Sequence, residues 1–494
     1  MEEPDLDDLF GAEDSGGDAA AAAEAAPAIV GAAAAGATGV PHPALLHCVE
    51  GVIDRAWPEA ARDLREGSSS SSSSAATTAV GVSAATAAGF GEGGPPPSKR
   101  LAVPLDADTA GRMDGAIAAA RRGDWPGCGA AAQVVRAAAW ASFERARGWQ
   151  RVCDRELFML AELLLALSAN AAGDAAAAVR SADHVFTFAA AGGFRDAALL
   201  FVRWLDADAR ARASGGARPS AAFPSEVPAW ASKPLQWGNT EPIVRVAAAD
   251  RRAAIDAIQA DRPVVVEGAL EAWPGRSKWS TLAYLDDVAG HRLVPVELGS
   301  SVGGADWHEE LMMLGDFLRR ELEPSCQAFA GGGGDAGGGG TTSVGYLAQH
   351  ELLEQCPQLR LDVSPPEVWR TALCGQPTRS NIWLGTHGTV TPCHWDSYDN
   401  CLAQVQGTKR ALLLPPDAAS CLYVDSGAAG GAAAQGNLSP VDLEAPDLEK
   451  FADFARAPKV LVAELRPGDA LFIPHGWWHQ VRALTPSVSV NFWF

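Results

Sequence analysis

From about residue 263 to the end, glycine and proline divide the chain into short apolar segments. Segments of this length are typical of β-strands, because the helices of a globular domain need longer periodic runs. Many short strands joined by tight turns close into a barrel or a sandwich, since closure leaves few exposed edges. The predicted strands are 263–267, 293–298, 382–384, 402–405, 411–414, 459–465, 470–473 and 487–494.

The stretch from about residue 111 to 213 has the spacing of amphipathic helices. Apolar side chains recur every three or four residues in two successive segments, at Leu157, Leu160, Leu164 and Leu167 and at Val179, Ala182, Phe186 and Ala189. Glycines separate the segments, and Asp154 is the expected N-cap of the first. The pattern predicts at least three helices packed as antiparallel hairpins. A tetratricopeptide-like face for a protein partner is the alternative, although no repeat period is evident.

Low-complexity sequence sets the boundaries of the N-terminal half. Residues 1–41 are acidic and then rich in alanine and glycine. Such a composition cannot offset the entropy of ordering, so we expect a disordered tail. Residues 42–215 form the predicted helical domain, which begins with a helix at 43–65 and carries a serine-rich and proline-rich insert at 67–98.

The C-terminal half follows a proline-rich linker at 216–242. The strand-rich domain is assigned to 243–494, with glycine-rich insertions at 331–340 and 427–436. Helices at 279–288 and 309–322 are expected to brace this domain from outside. The expected fold class is therefore α+β, with an all-α region before a β-barrel.

Charge and composition exclude several classes of function. A net charge of −21 argues against a direct nucleic-acid partner, because phosphate backbones are bound by clustered Lys and Arg. No uncharged apolar run reaches the roughly 18 residues of a membrane span, and the acidic start does not resemble a signal peptide. The nine cysteines form no CxxC pattern and suggest a reducing compartment. We expect a protein of the nucleus or cytoplasm without membrane association.

Two potential metal ligands stand together in His394-Trp395-Asp396. In an extended segment residues i and i+2 point to the same side, so this imidazole and carboxylate could share an ion. Ten histidines and 60 acidic residues in 494 predict about one His-x-acid triplet by chance, and the chain has two. We interpret the second, His308-Glu309-Glu310, as the chance one, because it falls in the predicted helix 309–322, where i and i+2 diverge.

The third ligand must come from a strand distant in sequence, and His479 is the candidate. A Pro-Gly-Asp turn leads into an apolar strand, a proline ends it, and the aromatic bend that follows can aim His479 inward. His475, beside the proline, is the less favoured alternative. Two imidazoles and one carboxylate leave open positions on a non-haem Fe(II) ion for O2 and a co-substrate. The pattern thus predicts an iron centre of His394, Asp396 and His479.

The C-terminal half resembles the jumonji C (JmjC) oxygenases, which have a double-stranded β-helix (cupin-like) fold. Within that family it is most similar to the group called lysine demethylase 8 or jumonji arginyl hydroxylase. The resemblance covers about 263–494 and, more faintly, the N-terminal helices. Its motifs are Gly345-Tyr-Leu-Ala-Gln-His350, Asp447-Leu-Glu-Lys-Phe451, Pro467-Gly-Asp-Ala-Leu-Phe-Ile-Pro474 and Ser489-Val-Asn-Phe-Trp493.

The resemblance implies Fe(II) as cofactor, with 2-oxoglutarate and O2 as co-substrates. Lys409 would pair with the far carboxylate of 2-oxoglutarate, and Tyr346, Thr391 and Asn400 would add hydrogen bonds around it. Trp493 would form the pocket wall. Thr391 stands where relatives often carry serine and keeps the hydroxyl group. From the residues alone, Lys409 could instead be an exposed turn lysine, and Thr391 and Trp493 ordinary core residues.

The resemblance also implies a substrate slot lined by Glu297, Trp307 and Trp383. A carboxylate can fork with a guanidinium group, and aromatic faces stack on it. The expected function is hydroxylation of arginine side chains in a protein or peptide. The alternatives are demethylation of N-methyl-lysine on histones and a non-catalytic binding scaffold, in which the helical domain serves a protein partner.

Overall fold

The structure, a computed structural model, describes residues 40–66, 105, 107–146, 151–190, 192–213, 218–228, 235–299, 306–330, 344–424 and 437–494. Nearly all of the predicted tail lies outside the described residues. The predicted insert at 67–98 and both glycine-rich insertions lie outside them completely. The domain boundaries drawn at these segments stay predictions.

The described part of the N-terminal half is helical. Its helices are α1 (Pro43–Glu66), α2 (Ala107–Arg121), α3 (Trp125–Ala146), α4 (Val152–Ala171), α5 (Ala175–Phe188) and α6 (Gly193–Ala213). Each helix packs against the next, and α1 also packs against α4 and α6. The hairpin arrangement follows the predicted pattern. No helix in the described part of the chain combines the length and apolar character needed to cross a membrane.

The turns between these helices follow ordinary capping chemistry. Gly173 adopts a positive φ of 74° between α4 and α5, and Asp174 then caps α5 by accepting a hydrogen bond from the Ala177 amide at 2.9 Å. Asp154, however, is not the cap of α4. The helix begins at Val152, and the buried Asp154 carboxylate pairs with Arg151 at 2.7 Å within the first turn.

The C-terminal half contains two sheets. The strands are β1 (Thr240–Pro242), β2 (Val244–Ala247), β3 (Val264–Glu267), β4 (Leu293–Gly299), β5 (His308–Met313), β6 (Val344–His350), β7 (Arg379–Gly385), β8 (Val390–His394), β9 (Asn400–Gln406), β10 (Lys409–Leu414), β11 (Val460–Leu465), β12 (Ala470–Ile473), β13 (Trp478–Ala483) and β14 (Ser487–Trp493). The larger sheet has the order β2-β3-β12-β9-β14-β7-β6-β4-β5, and the smaller has the order β1-β11-β10-β13-β8. All pairings are antiparallel except β1 with β11 and β2 with β3.

Alternation along the strands divides the side chains between an outer core and a barrel interior. On β14, Val490 and Phe492 pack outward against the helices. Leu402 on β9 and Leu413 on β10 meet inside, where the two sheets face each other. One end of the interior is apolar, whereas polar side chains line the other. This architecture confirms the expected fold class, α+β with a C-terminal double-stranded β-helix after a helical region.

Helical segments cover the outside of the larger sheet. They are α7 (Arg251–Gln259), α8 (Gly275–Lys278), α9 (Leu282–Ala289), α10 (Leu314–Phe317), a π-helical turn (Leu318–Leu322), α11 (Glu323–Ala330), α12 (Leu352–Gln355), α13 (Pro357–Arg360) and α14 (Glu367–Ala372). The helix predicted at 309–322 is partly wrong, because β5 extends to Met313 and the helix begins at Leu314. Pairing with β4 gives residues 308–313 a strand conformation that local periodicity does not show.

The helical region is joined to the barrel by buried charges. Arg292, directly before β4, is fully buried and bonds the carboxylates of Asp183 on α5 and Asp206 on α6. Asp183 also accepts the Leu293 amide at 2.9 Å. Because an unpaired buried guanidinium is costly, these contacts tie the two halves together.

Candidate active site

The three predicted iron ligands meet at one end of the barrel interior. His394, the last residue of β8, lies opposite His479 on β13, and Asp396 follows β8 by two residues. The Nε2 atoms of His394 and His479 lie 3.8 and 3.7 Å from the two carboxylate oxygens of Asp396. All three ligand atoms fall within 4.8 Å of one another. The structure therefore brings this set together.

Backbone contacts orient both imidazoles. Nδ1 of His394 donates to the Pro392 carbonyl at 2.8 Å, and Nδ1 of His479 donates to the Trp477 carbonyl at 3.0 Å. With Nδ1 protonated, each Nε2 presents its lone pair toward Asp396. Burial, reinforced by the neighbouring His394, lowers the pKa of His479 to about 4. The ring is therefore neutral at pH 7, as a metal ligand must be.

A β-bulge places Thr391 and His394 on the same face. His394 pairs with His479, and Thr391 pairs with Val481. The two pairs are therefore three residues apart along β8 but only two residues apart along β13. The extra residue reverses the normal alternation. Both side chains consequently face the interior, where the Thr391 hydroxyl lies 3.3 Å from the Tyr346 hydroxyl.

The two competing histidines lie elsewhere. His475 is exposed and contacts Asp399 at 3.1 Å instead of the triad. His308 and Glu310 belong to a strand, so the reason given for setting their triplet aside was wrong. Even so, neither residue lies in a metal-compatible cluster within the described part of the chain.

Lys409 is the charged group deepest in the interior. The side chain is 2% exposed, and its ammonium lies 5.6 Å from the centre of the Tyr346 ring. Among the described residues, no carboxylate lies within ion-pair distance, and burial lowers the pKa of Lys409 to about 7. The exposed-turn alternative is wrong. Along β10, Lys409 stands four residues from Leu413, the partner of His479, which is about 13 Å of strand.

A network of amides forms the floor between the triad and the larger sheet. Asn491 on β14 accepts hydrogen bonds from Asn381 at 3.2 Å and from the Trp383 indole at 2.9 Å, and it donates to Asn400 at 3.4 Å. Asn491 lies within the motif at 489–493, but no role was predicted for it. A polar side chain on a strand that is buried throughout is the signal that could have found it.

Trp493 lies buried at the same end of the barrel. Its ring stacks on Tyr398 with centroids 5.3 Å apart and planes 8° apart, and the Arg379 guanidinium lies 5.9 Å from it. Tyr398 is partly exposed and was not predicted. The pocket-wall role of Trp493 stays a prediction.

The predicted substrate residues lie on the same face of the larger sheet. Glu297 on β4 is buried and directly opposite Tyr346 on β6, and the Trp383 ring lies 5.9 Å from the Tyr346 ring. Trp307 packs over Gly299, where an added Cβ would lie 2.7 Å from the indole. A cationic side chain entering here would meet one carboxylate and aromatic faces.

Comparison with known proteins agrees with this geometry. The family model of the cupin-like domain matches residues 252–494. The chain is 38% identical over 235 residues to lysine-specific demethylase 8 of Xenopus tropicalis (47% of this chain, 48% of the relative). It is 35% identical over 240 residues to Jumonji C domain-containing protein 5 of Drosophila melanogaster (48% and 55%). It is 37% identical over 244 residues to lysine-specific demethylase JMJ30 of Arabidopsis thaliana (47% and 49%).

Residues 252–494 match the cupin-like domain, and this half of the chain is similar to proteins named for their JmjC domain or as lysine-specific demethylases. The JmjC domain is a domain of 2-oxoglutarate-dependent dioxygenases, which generally use Fe(II). The match spans about half the length of these relatives.

The residues present fit both Fe(II) and 2-oxoglutarate. Two neutral imidazoles and a carboxylate form the ligand set of non-haem Fe(II). The buried Lys409, which has no acidic partner among the described residues, can receive the far carboxylate of a dicarboxylic acid.

Proposed function

We propose that the chain is an Fe(II)- and 2-oxoglutarate-dependent hydroxylase of arginine side chains in proteins. The observation that carries the proposal is the position of Glu297. Glu297 lies opposite Tyr346, whose ring is 5.9 Å from that of Trp383, on the interior face of the larger sheet. The triad and Lys409 lie on or directly beside strands of the smaller sheet. A buried carboxylate next to aromatic rings suits a planar guanidinium group.

The proposal gives each site residue a role that its position allows. His394, Asp396 and His479 would hold the iron. Lys409 would bind the far carboxylate of 2-oxoglutarate, which would restore a counter-charge to the buried ammonium. The paired hydroxyl groups of Tyr346 and Thr391 would hold the co-substrate from one side.

Asn400 and Trp493 would close the other side of the pocket. Asn400 is held by the Asn491 amide, so its own amide group is oriented for a ligand. Trp493, stacked on Tyr398, would exclude water from the reacting centre. When bound, iron and 2-oxoglutarate supply the oxidation of a substrate C–H bond by O2 to an alcohol, with release of succinate and CO2. The protein positions the substrate, orients the charges and keeps the site dry.

Demethylation of N-methyl-lysine is the second candidate. The names of two relatives, lysine-specific demethylase 8 and lysine-specific demethylase JMJ30, favour it. A non-catalytic scaffold is disfavoured by the assembled triad and the buried Lys409. Action in the nucleus or cytoplasm on a protein or peptide substrate, and a protein partner for the helices, are parts of the same proposal.

The substrate assignment is tested with Glu297→Gln, which keeps the shape of the side chain and removes its charge. Unmodified arginine peptides and methyl-lysine peptides are compared side by side, with Fe(II), ascorbate and 2-oxoglutarate. The gain of one oxygen atom by mass spectrometry reports arginine hydroxylation, and formaldehyde reports demethylation. Glu297→Gln should suppress arginine hydroxylation far more than the peptide-independent conversion of 2-oxoglutarate to succinate.

The controls separate the metal from the substrate slot. His394→Ala and Asp396→Ala should abolish all turnover, whereas Glu310→Ala should leave it unchanged. Reaction of the methyl-lysine peptides alone would replace the arginine assignment with the demethylase. Full iron-dependent turnover by His394→Ala would contradict the triad.

A further inference from the structure

A second carboxylate continues the substrate face toward the edge of the larger sheet. Glu309 on β5 lies directly opposite Glu297 on β4, which lies opposite Tyr346 on β6. Directly opposed residues of antiparallel strands project from the same face. The row Glu309, Glu297 and Tyr346 therefore leads from the edge strand to the co-substrate pocket. With strands about 4.8 Å apart, Glu309 stands roughly 10 Å from the backbone of Tyr346.

The opposite face of these strands packs in the hydrophobic core outside the barrel interior. Met312 on β5, Val296 on β4 and Leu347 on β6 all belong to the outer core. Side chains of this parity point away from the barrel interior, and Glu310, opposite Val296, shares it. Glu309 and Glu310 are thus adjacent acids on opposite faces of one strand, and both are exposed.

The register places the carboxylates of Glu309 and Glu297 on directly opposed residues of two neighbouring strands. Two like charges directly opposite each other destabilise an antiparallel pair. Among the described residues, no lysine or arginine lies within ion-pair distance of Glu309. Desolvation by the surrounding protein raises the pKa of Glu309 to about 7. A cation bound beside Glu309 would favour the charged form of its carboxylate.

Trp307 lies on the same strand face, two residues before Glu309. Its indole packs over Gly299, so an aromatic ring lies on the same face as the two carboxylates. Aromatic and acidic groups together bind guanidinium and ammonium groups better than either alone.

We propose that Glu309 determines specificity by receiving, together with Glu297, the cationic side chain of the peptide substrate. The inference rests on the proposed function, because it takes the cationic group to be the side chain of the substrate residue that enters the slot. Glu297 would hold the inner part of the cationic group, and Glu309 the part nearer the surface.

The test compares Glu309→Gln with Glu310→Gln in the full chain. Both variants remove one negative charge from adjacent positions of β5, but only the first changes the interior face. Binding of a short peptide with a central arginine, and of the same peptide with neutral citrulline there, is measured by fluorescence anisotropy. The wild type should prefer the arginine peptide, and Glu309→Gln should reduce that preference about fivefold. Glu310→Gln should keep it.

Thermal stability supplies an independent reading. Removing the opposed charge should raise the melting temperature of Glu309→Gln by about 2 °C. Equal loss of preference in both variants, an unchanged preference in Glu309→Gln, no preference in the wild type, or a lower melting temperature would each overturn the proposal. Mass spectrometry of the same peptides separates it from the proposed function. Preferential binding without gain of oxygen contradicts the hydroxylase and leaves the role of Glu309 standing.

Discussion

Replacing Lys409 by methionine should stabilise the ligand-free chain and remove its response to 2-oxoglutarate. The ammonium is almost completely buried, and no described carboxylate pairs with it. Methionine has a similar length and no charge to desolvate. The substitution therefore separates the cost of the buried charge from its use in binding.

The size of the effect follows from the pKa of Lys409, which burial lowers from 10.5 to about 7. The unfolded chain binds this proton below pH 10.5, whereas the folded chain binds it only below about pH 7. Folding stability is therefore undiminished above pH 10.5, falls as the pH decreases from 10.5 to 7, and stays low below that. One pKa unit corresponds to about 1.4 kcal/mol, so the loss at pH 7 is roughly 4 kcal/mol.

The assay is thermal melting of the wild type and Lys409→Met between pH 6 and 9. At pH 7 the variant should melt roughly 10 °C higher, and the difference should narrow toward pH 9. Addition of 2-oxoglutarate with a divalent metal should raise the melting temperature of the wild type but not of the variant. Lys459→Met is the control, since Lys459 is exposed and pairs with Glu241 at 3.3 Å.

Two results would refute this reasoning. A melting temperature of Lys409→Met at or below that of the wild type at pH 7 would mean that the buried ammonium does not destabilise the folded chain. An intact response of the variant to 2-oxoglutarate would mean that Lys409 does not hold the co-substrate. The control should change stability by no more than about 0.5 kcal/mol and keep its response.

Asp183→Asn should lower the free energy of unfolding by about 3 kcal/mol, because Arg292 would stay buried with one carboxylate fewer. Thermal melting measures the effect, and Asp208→Asn, at an exposed position, is the control. Equal melting temperatures of the two variants would show that the contact between Asp183 and Arg292 contributes little. Gly385→Ala should raise the 2-oxoglutarate concentration needed for half-maximal succinate formation several-fold, because the new Cβ would lie 2.7 Å from Cδ2 of Tyr346. An unchanged requirement would show that Tyr346 shifts without consequence.

The iron-ligand candidates could be predicted from local chemistry. His394 and Asp396 are two residues apart after an extended segment, and a turn, a strand and a proline precede His479. Each of these signals lies within a few residues of the side chain concerned. The choice of His479 over His475 also followed from local sequence, and the structure places His475 outside the cluster.

The misjudged segment was 309–313, the first part of the helix predicted at 309–322. Its residues have no strong alternation, and only pairing with β4 makes them a strand. That pairing also determines which way the side chains of the second His-x-acid triplet, His308-Glu309-Glu310, point. Glu309 faces Glu297 across the strands, while its neighbours face away.

The sequence alone indicated the fold class and the composition of the candidate iron site, because periodicity, turn residues and ligand types are local properties of the chain. The role of Lys409 came only from the family resemblance, since the residues alone also allowed an exposed turn lysine. Tertiary structure decided which strand lies beside which, how deeply Lys409 is buried, and that Arg292 meets Asp183 from 109 residues away. These features depend on contacts between distant segments, whose register no local pattern specifies.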